Sequence, residues 1–91
     1  KFLDSLPDRK EKIVEAWNES DGAKLSRAAH KLKGASSIFG AIQLSQLCLE
    51  LETLGVEGNI PSDQKALDEL DREVEQVKVE IRLFLQGNAV H

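Results

Sequence analysis

The chain has 91 residues, of which 41% are hydrophobic and 31% charged, with a formal net charge of −4. That length holds one small domain with a single core and leaves no second lobe to close over a substrate. Two prolines, six glycines and long stretches free of both argue against a turn-rich β protein, and no apolar run approaches the ~20 residues of a membrane span. An all-α fold with no membrane contact of its own is expected.

Four helices can be drawn in chain order, joined by short loops, as an antiparallel up-down four-helix bundle. The first is predicted from about Pro7 to Glu19, with Ile13, Val14 and Trp17 on its apolar face and Phe2, Leu3 and Leu6 in a lead-in helix or turn. Ser20 or Asp21 caps the second, about Gly22 to Ile38, which Gly40 helps to end. The third runs from about Leu44 to Leu54 and stops at a turn spanning Gly55 to Pro61. Ser62 then caps a fourth that reaches about Gln86, where Gly87-Asn88 supply the stop and residues 87–91 form a loose tail. Its apolar residues Leu67, Leu70, Val74, Val77, Ile81 and Phe84 alternate three and four apart, the seam of a bundle helix. Because the chain opens on Lys1, residues 1–91 are expected to be a single domain, either of a processed protein or, the preferred reading, cut from a longer one.

The single cysteine, Cys48, cannot form an internal disulfide, and with His30 and His91 it makes no zinc-ligand pattern. It falls in the apolar stripe of its helix and reads as a small buried hydrophobe. No metal site is expected, and the setting is expected to be reducing and cytoplasmic. The net charge conceals an asymmetry, since no acidic residue lies between Asp21 and Glu50 while Lys24, Arg27, Lys31 and Lys33 do. A basic island on an acidic domain points to a face that meets anions. Nucleic acid is a poor candidate, because the patch is short and only Phe39 among the aromatic residues lies near it.

On a helix that advances 100° per residue, Leu25, Ala28, Leu32, Ala35 and Phe39 fall within about 40° of the side opposite His30. The core stripe therefore faces away from the imidazole. Ala23, Ser26, Arg27, Lys33, Gly34 and Ser37 lie within about 60° of it, a surround of small and basic residues. Glycine inside a helix costs about 1 kcal/mol relative to alanine, so Gly34 asks for a reason, and access to the ring is one. Lys33 suits an anion beside the ring, and Ser37 can donate a hydrogen bond to it. Arg27 lies one turn back and Lys31 is rotated by about 100°, so both are assigned long-range attraction. A reactive imidazole also needs one tautomer, which a carboxylate behind the ring can fix. Glu52, at the edge of the apolar face of the third helix, is preferred for this over Glu50.

The run Ala29-His30-Lys31-Leu32-Lys33-Gly34-Ala35-Ser36-Ser37-Ile38-Phe39-Gly40-Ala41, set in a chain of this size, resembles the signature of histidine-containing phosphotransfer (HPt) domains. The resemblance implies that His30 is phosphorylated on its solvent-facing nitrogen, with Lys33 near the phosphoryl group, Gly34 clearing space beside the ring and Glu52 bonding the other nitrogen. It further implies a phosphocarrier in a multistep two-component phosphorelay, the usual source being a hybrid sensor kinase. Partners would be response-regulator receiver domains, which bring the Mg²⁺ of their own acidic pocket, so that this domain binds no cofactor. Docking would use Ala23, Ser26 and Lys31 on the second helix with Ser45, Leu49 and Val56 on the third. Two alternatives stay open: direct phosphorylation by an ATP-binding kinase domain, as in chemotaxis kinases, and a helical docking module that accepts no phosphate. Autonomous kinase activity is not expected, since the chain has no glycine-rich nucleotide loop.

Overall fold

A computed structural model describes the backbone of residues 2–90 and the side chains of residues 4–85. Four helices follow one another: α1 Phe2–Asn18, α2 Gly22–Ile38, α3 Ile42–Glu57 and α4 Lys65–Val90. Each packs on its neighbours in sequence, and α4 closes the ring beside α1. The result is the all-α, up-down bundle expected from the apolar periodicity. Its core takes Leu6, Ile13 and Trp17 from α1, Leu25 and Leu32 from α2, Leu44 and Leu51 from α3, and Leu70 and Val74 from α4.

The helix ends explain where the sequence reading needs correction. α1 starts at Phe2, so Pro7 lies inside the helix rather than at its start, and Leu6 is a fully buried core residue of α1 rather than part of a lead-in turn. The expected packing of the Phe2 and Leu3 side chains lies outside the described residues. Asp21, not Ser20, caps α2: its carboxylate accepts the Lys24 N–H at 3.1 Å, while Ser20 takes a left-handed turn conformation with φ 54°. Gly40 and Gly58, with φ of 71° and 72°, end α2 and α3 in the left-handed region that glycine tolerates without strain.

α3 is longer at both ends than expected, and Gly55 belongs to it as a buried residue rather than to the following turn. Ser62 is not the cap of α4; the Asp63 carboxylate accepts the Lys65 N–H at 3.1 Å, and the helix starts there. Its backbone stays helical past Gly87-Asn88 to Val90, and the side chains of 86–90 together with His91 lie outside the described residues. The predicted seam is buried from Leu67 to Val77, half-buried at Ile81 and open at Phe84, which is 66% exposed. The reason is length: 26 residues of helix run about 39 Å, against about 25 Å for the 17 of α2, so the last turns of α4 outrun their neighbours. Phe84 and Phe39 instead line one apolar cleft of about 410 Å³.

The buried residues of α2 are Leu25, Ala29, Leu32 and Ser36. The core direction is therefore rotated from the expected stripe toward α3: Ala28 and Ala35 are half-buried, and Phe39 is exposed. α3 is the nearest neighbour of α2 and draws the burial to its side. Ser36 is admitted to the core because its hydroxyl donates to the Leu32 carbonyl at 2.7 Å, which leaves no polar atom unsatisfied. Cys48 is fully buried, and burial pushes its thiol up to about 12, which makes it inert packing.

The two helices meet most closely at a pair of glycines. A Cβ on Gly22 would stand 2.5 Å from the Gly55 carbonyl oxygen, and one on Gly55 would stand 2.6 Å from that of Gly22 and 2.7 Å from the Ser26 nitrogen. Backbone therefore lies against backbone here, and no larger residue fits without moving a helix.

Candidate functional site

His30 stands in the middle of α2 on the side away from the core, with 66% of its side chain exposed. Its Nδ1 lies 3.1 Å from Glu52 Oε2 on α3, and the other carboxylate oxygen lies 2.8 Å from Lys33 Nζ. One carboxylate thus joins the imidazole and the ammonium, across the two helices that the glycine pair holds together. An ionised carboxylate only accepts hydrogen bonds, so the ring in its neutral form carries its proton on Nδ1. Nε2 keeps the lone pair.

Glu52 is mostly buried, at 21% exposure, and Lys33 is 28% exposed. The Lys33 hydrogen bond holds the Glu52 carboxyl below the usual carboxylate range, with the charges of Lys33 and His30 adding to the effect and partial burial opposing it. A carboxyl lowered in the folded state stabilises the fold above its unfolded value, and that contribution is lost as pH falls through the lowered one. Lys33→Met is therefore expected to shrink the loss of stability between neutral pH and about pH 3, read as the difference in urea midpoints against the unsubstituted chain.

Beside the ring, Gly34 opens onto empty space: a Cβ built on it meets no atom within 4 Å. Close packing therefore does not explain this helical glycine, and the space next to the imidazole is free for an approaching group. Ser37, two turns along, lies with its hydroxyl 2.9 Å from that of Ser45 on α3. The two seryl residues, assigned separately from sequence to anion support and to docking, form one cross-helix pair. Ser45, half-buried, Leu49, 51% exposed, and Val56, 73% exposed, run along the same side of α3 as Glu52. Ala23 is exposed at the start of α2, and Ser26 is half-buried against Gly55.

The basic island divides. Lys33 turns toward α3, whereas Lys24, Arg27 and Lys31 line a groove against α1, with Lys12 and Glu15 on its other wall. Helical angle accounts for this, because Lys33 precedes His30 around the axis and the other three follow it. Arg27 and Lys31 are thus not brought to the Glu52 carboxylate. Glu50 is exposed and makes no contact with the ring. The sequence reading missed Gly22 and Gly55, whose contact sets the α2–α3 spacing. The available signal was two glycines placed at the facing ends of consecutive antiparallel helices. Among the described residues, no helix is long and apolar enough to cross a membrane.

The phosphotransferase RcsD of Escherichia coli (strain K12) is 32% identical over 76 residues, a match that covers 84% of this chain and 8% of that protein. The chain therefore spans only a small part of the relative's length. No solved structure matches it. A family model for the Hpt domain matches residues 1–80, which take in all of α1, α2 and α3 and α4 as far as Glu80; the chain belongs to the Hpt domain family.

Proposed function

We propose that this domain is a phosphocarrier in a two-component phosphorelay, in which His30 Nε2 takes a phosphoryl group from the aspartyl phosphate of a receiver domain and gives it to the aspartate of another. The observation that carries the reading is the state of His30: its Nδ1 is held by Glu52 while the opposite edge of the ring faces solvent beside the gap at Gly34. Such an imidazole is fixed in tautomer and open to in-line approach, which is what nucleophilic attack on phosphorus requires. The match to the Hpt domain family and to a relative described as a phosphotransferase supports the same chemistry.

In this reading the domain supplies the nucleophile and its surroundings and has no kinase activity of its own. The receiver contributes the acidic pocket and the Mg²⁺ that neutralises charge on the transferring group. The receiver docks over the exposed face of α2 and onto Ser45, Leu49 and Val56, with Ala23 and Ser26 at the near edge. Arg27 and Lys31, turned toward α1, act on an acidic partner at longer range. The Ser37–Ser45 pair gives the phosphoryl group a nearby hydroxyl donor. The setting is read as cytoplasmic.

The direct test mixes the domain with receivers carrying a radiolabelled aspartyl phosphate. Label is expected to move to the chain within the lifetime of the receiver phosphate and to be acid-labile and alkali-stable, as phosphohistidine is. Failure to take label from any of a panel of receivers, and from an ATP-loaded chemotaxis-type kinase domain, would sink the proposal.

A further inference from the structure

Glu52 does more in this geometry than orient a ring. Its two oxygens are divided between His30 Nδ1 and Lys33 Nζ, so the cation best placed to meet a phosphoryl group is already held by a carboxylate. An arriving anion must compete with Glu52 for Lys33. The same carboxylate bears on the ring during transfer. When the Nε2 lone pair forms the N–P bond, the acyl O–P bond breaks and its electron pair leaves on the receiver aspartate. The Nδ1 proton stays, so the ring becomes cationic. Glu52 balances that charge and keeps the proton in place, and in the protonated form a neutral imidazole can depart when phosphorus is attacked by the next aspartate.

From this arrangement we infer that Glu52 makes His30 a transit site and not a store: it holds Lys33 back from the phosphoryl group and keeps the phosphorylated ring in the form that gives the group up. This rests on the phosphocarrier reading and adds to it a poise of the transfer equilibrium toward the receiver. Glu52 favours the single positive charge of the phosphorylated ring, but two effects oppose this and outweigh it, because the transferred group carries two negative charges. Negative charge behind the ring disfavours the phosphoryl dianion, and the pairing of Lys33 withholds the countercharge that would retain it.

Glu52→Gln separates these effects from orientation. A carboxamide oxygen can still accept the Nδ1–H, so the tautomer is kept while the charge is removed and Lys33 is released. The experiment equilibrates the domain with a receiver and measures the share of label on each protein, with ¹⁵N spectra of the ring confirming the Nδ1–H tautomer. The share on His30 is expected to rise about tenfold in Glu52→Gln, the size of effect that one unit charge has on a nearby dianion in a partly screened site. Return of the label to the receiver is expected to slow. Adding Lys33→Met to Glu52→Gln is expected to cancel much of the rise, because the released cation is then gone. A partition within about twofold of the unsubstituted chain, with the tautomer retained, overturns the inference and leaves the phosphocarrier reading standing. Absence of label on the unsubstituted chain overturns both.

Discussion

Replacing His30 by glutamine is expected to abolish phosphoryl acceptance while leaving the bundle as stable as before. A carboxamide nitrogen has its lone pair delocalised into the carbonyl and is no nucleophile toward phosphorus, so no partial activity is expected from the new side chain. The fold should not register the change. His30 is two-thirds exposed, contributes nothing to the core and sits at a helical position that glutamine tolerates well. A surface substitution of this kind falls within about 0.5 kcal/mol, and the glutamine amide can donate to Glu52 in place of the ring. The measurement pairs label transfer from a phosphorylated receiver with a thermal melt on the same preparation. Label arriving at another residue of the variant would remove His30 from its assigned role. Normal signalling output in cells by a variant that takes no label would favour a docking module that accepts no phosphate.

The second large effect concerns two glycines that look alike in the sequence and should respond oppositely to alanine. At Gly34 a methyl group meets nothing, and the substitution is expected to stabilise the chain by the helix-propensity difference of about 1 kcal/mol. At Gly55 the same methyl would fall 2.6 Å from the Gly22 oxygen and 2.7 Å from the Ser26 nitrogen. Both are backbone atoms, which cannot swing aside as the end of a side chain can. The helices must separate, and overpacking of this kind costs about 1–3 kcal/mol, which outweighs the propensity gain. Expressed as melting temperature, Gly34→Ala should rise by about 4–8 °C and Gly55→Ala should fall by a similar or greater amount. Gly55→Ala should also weaken the His30–Glu52 contact, because Glu52 lies one turn away on the helix that is displaced. A Gly55→Ala protein as stable as the unsubstituted chain would show that the helices do not meet as described.

Periodicity carried the reading of the fold and the outward direction of His30, since both depend only on spacing within one helix. What escaped it depends on two helices at once. Ala29 and Ser36 are buried because α3 is the nearest neighbour of α2, and a wheel drawn for α2 alone contains no neighbour. Lys33 and Glu52 were each assigned a separate task beside His30, whereas they hold each other; the distance across the helix pair that decides this is set by packing. Gly55 was read as a turn because glycine signals both a chain reversal and a close approach, and residue type alone does not distinguish them. At α4 the seam pattern continued correctly through Phe84, but burial requires a partner, and the shorter helices end before it.

The glycine contact also acts as a fulcrum. Along α3, Glu52 is three residues from Gly55, about 4.5 Å, while Ser45 is ten residues away, about 15 Å. Any rocking of α3 against α2 about this tight point therefore moves Glu52 roughly a third as far as it moves Ser45. The short lever arm keeps the carboxylate in register with the imidazole, and the Ser45 end is tied in turn by the short connection from Ile38 to Ile42 and by the Ser37–Ser45 hydrogen bond. A helix pair fastened on both sides in this way holds the Glu52 carboxylate against the His30 imidazole when a load falls on the outer face of α3.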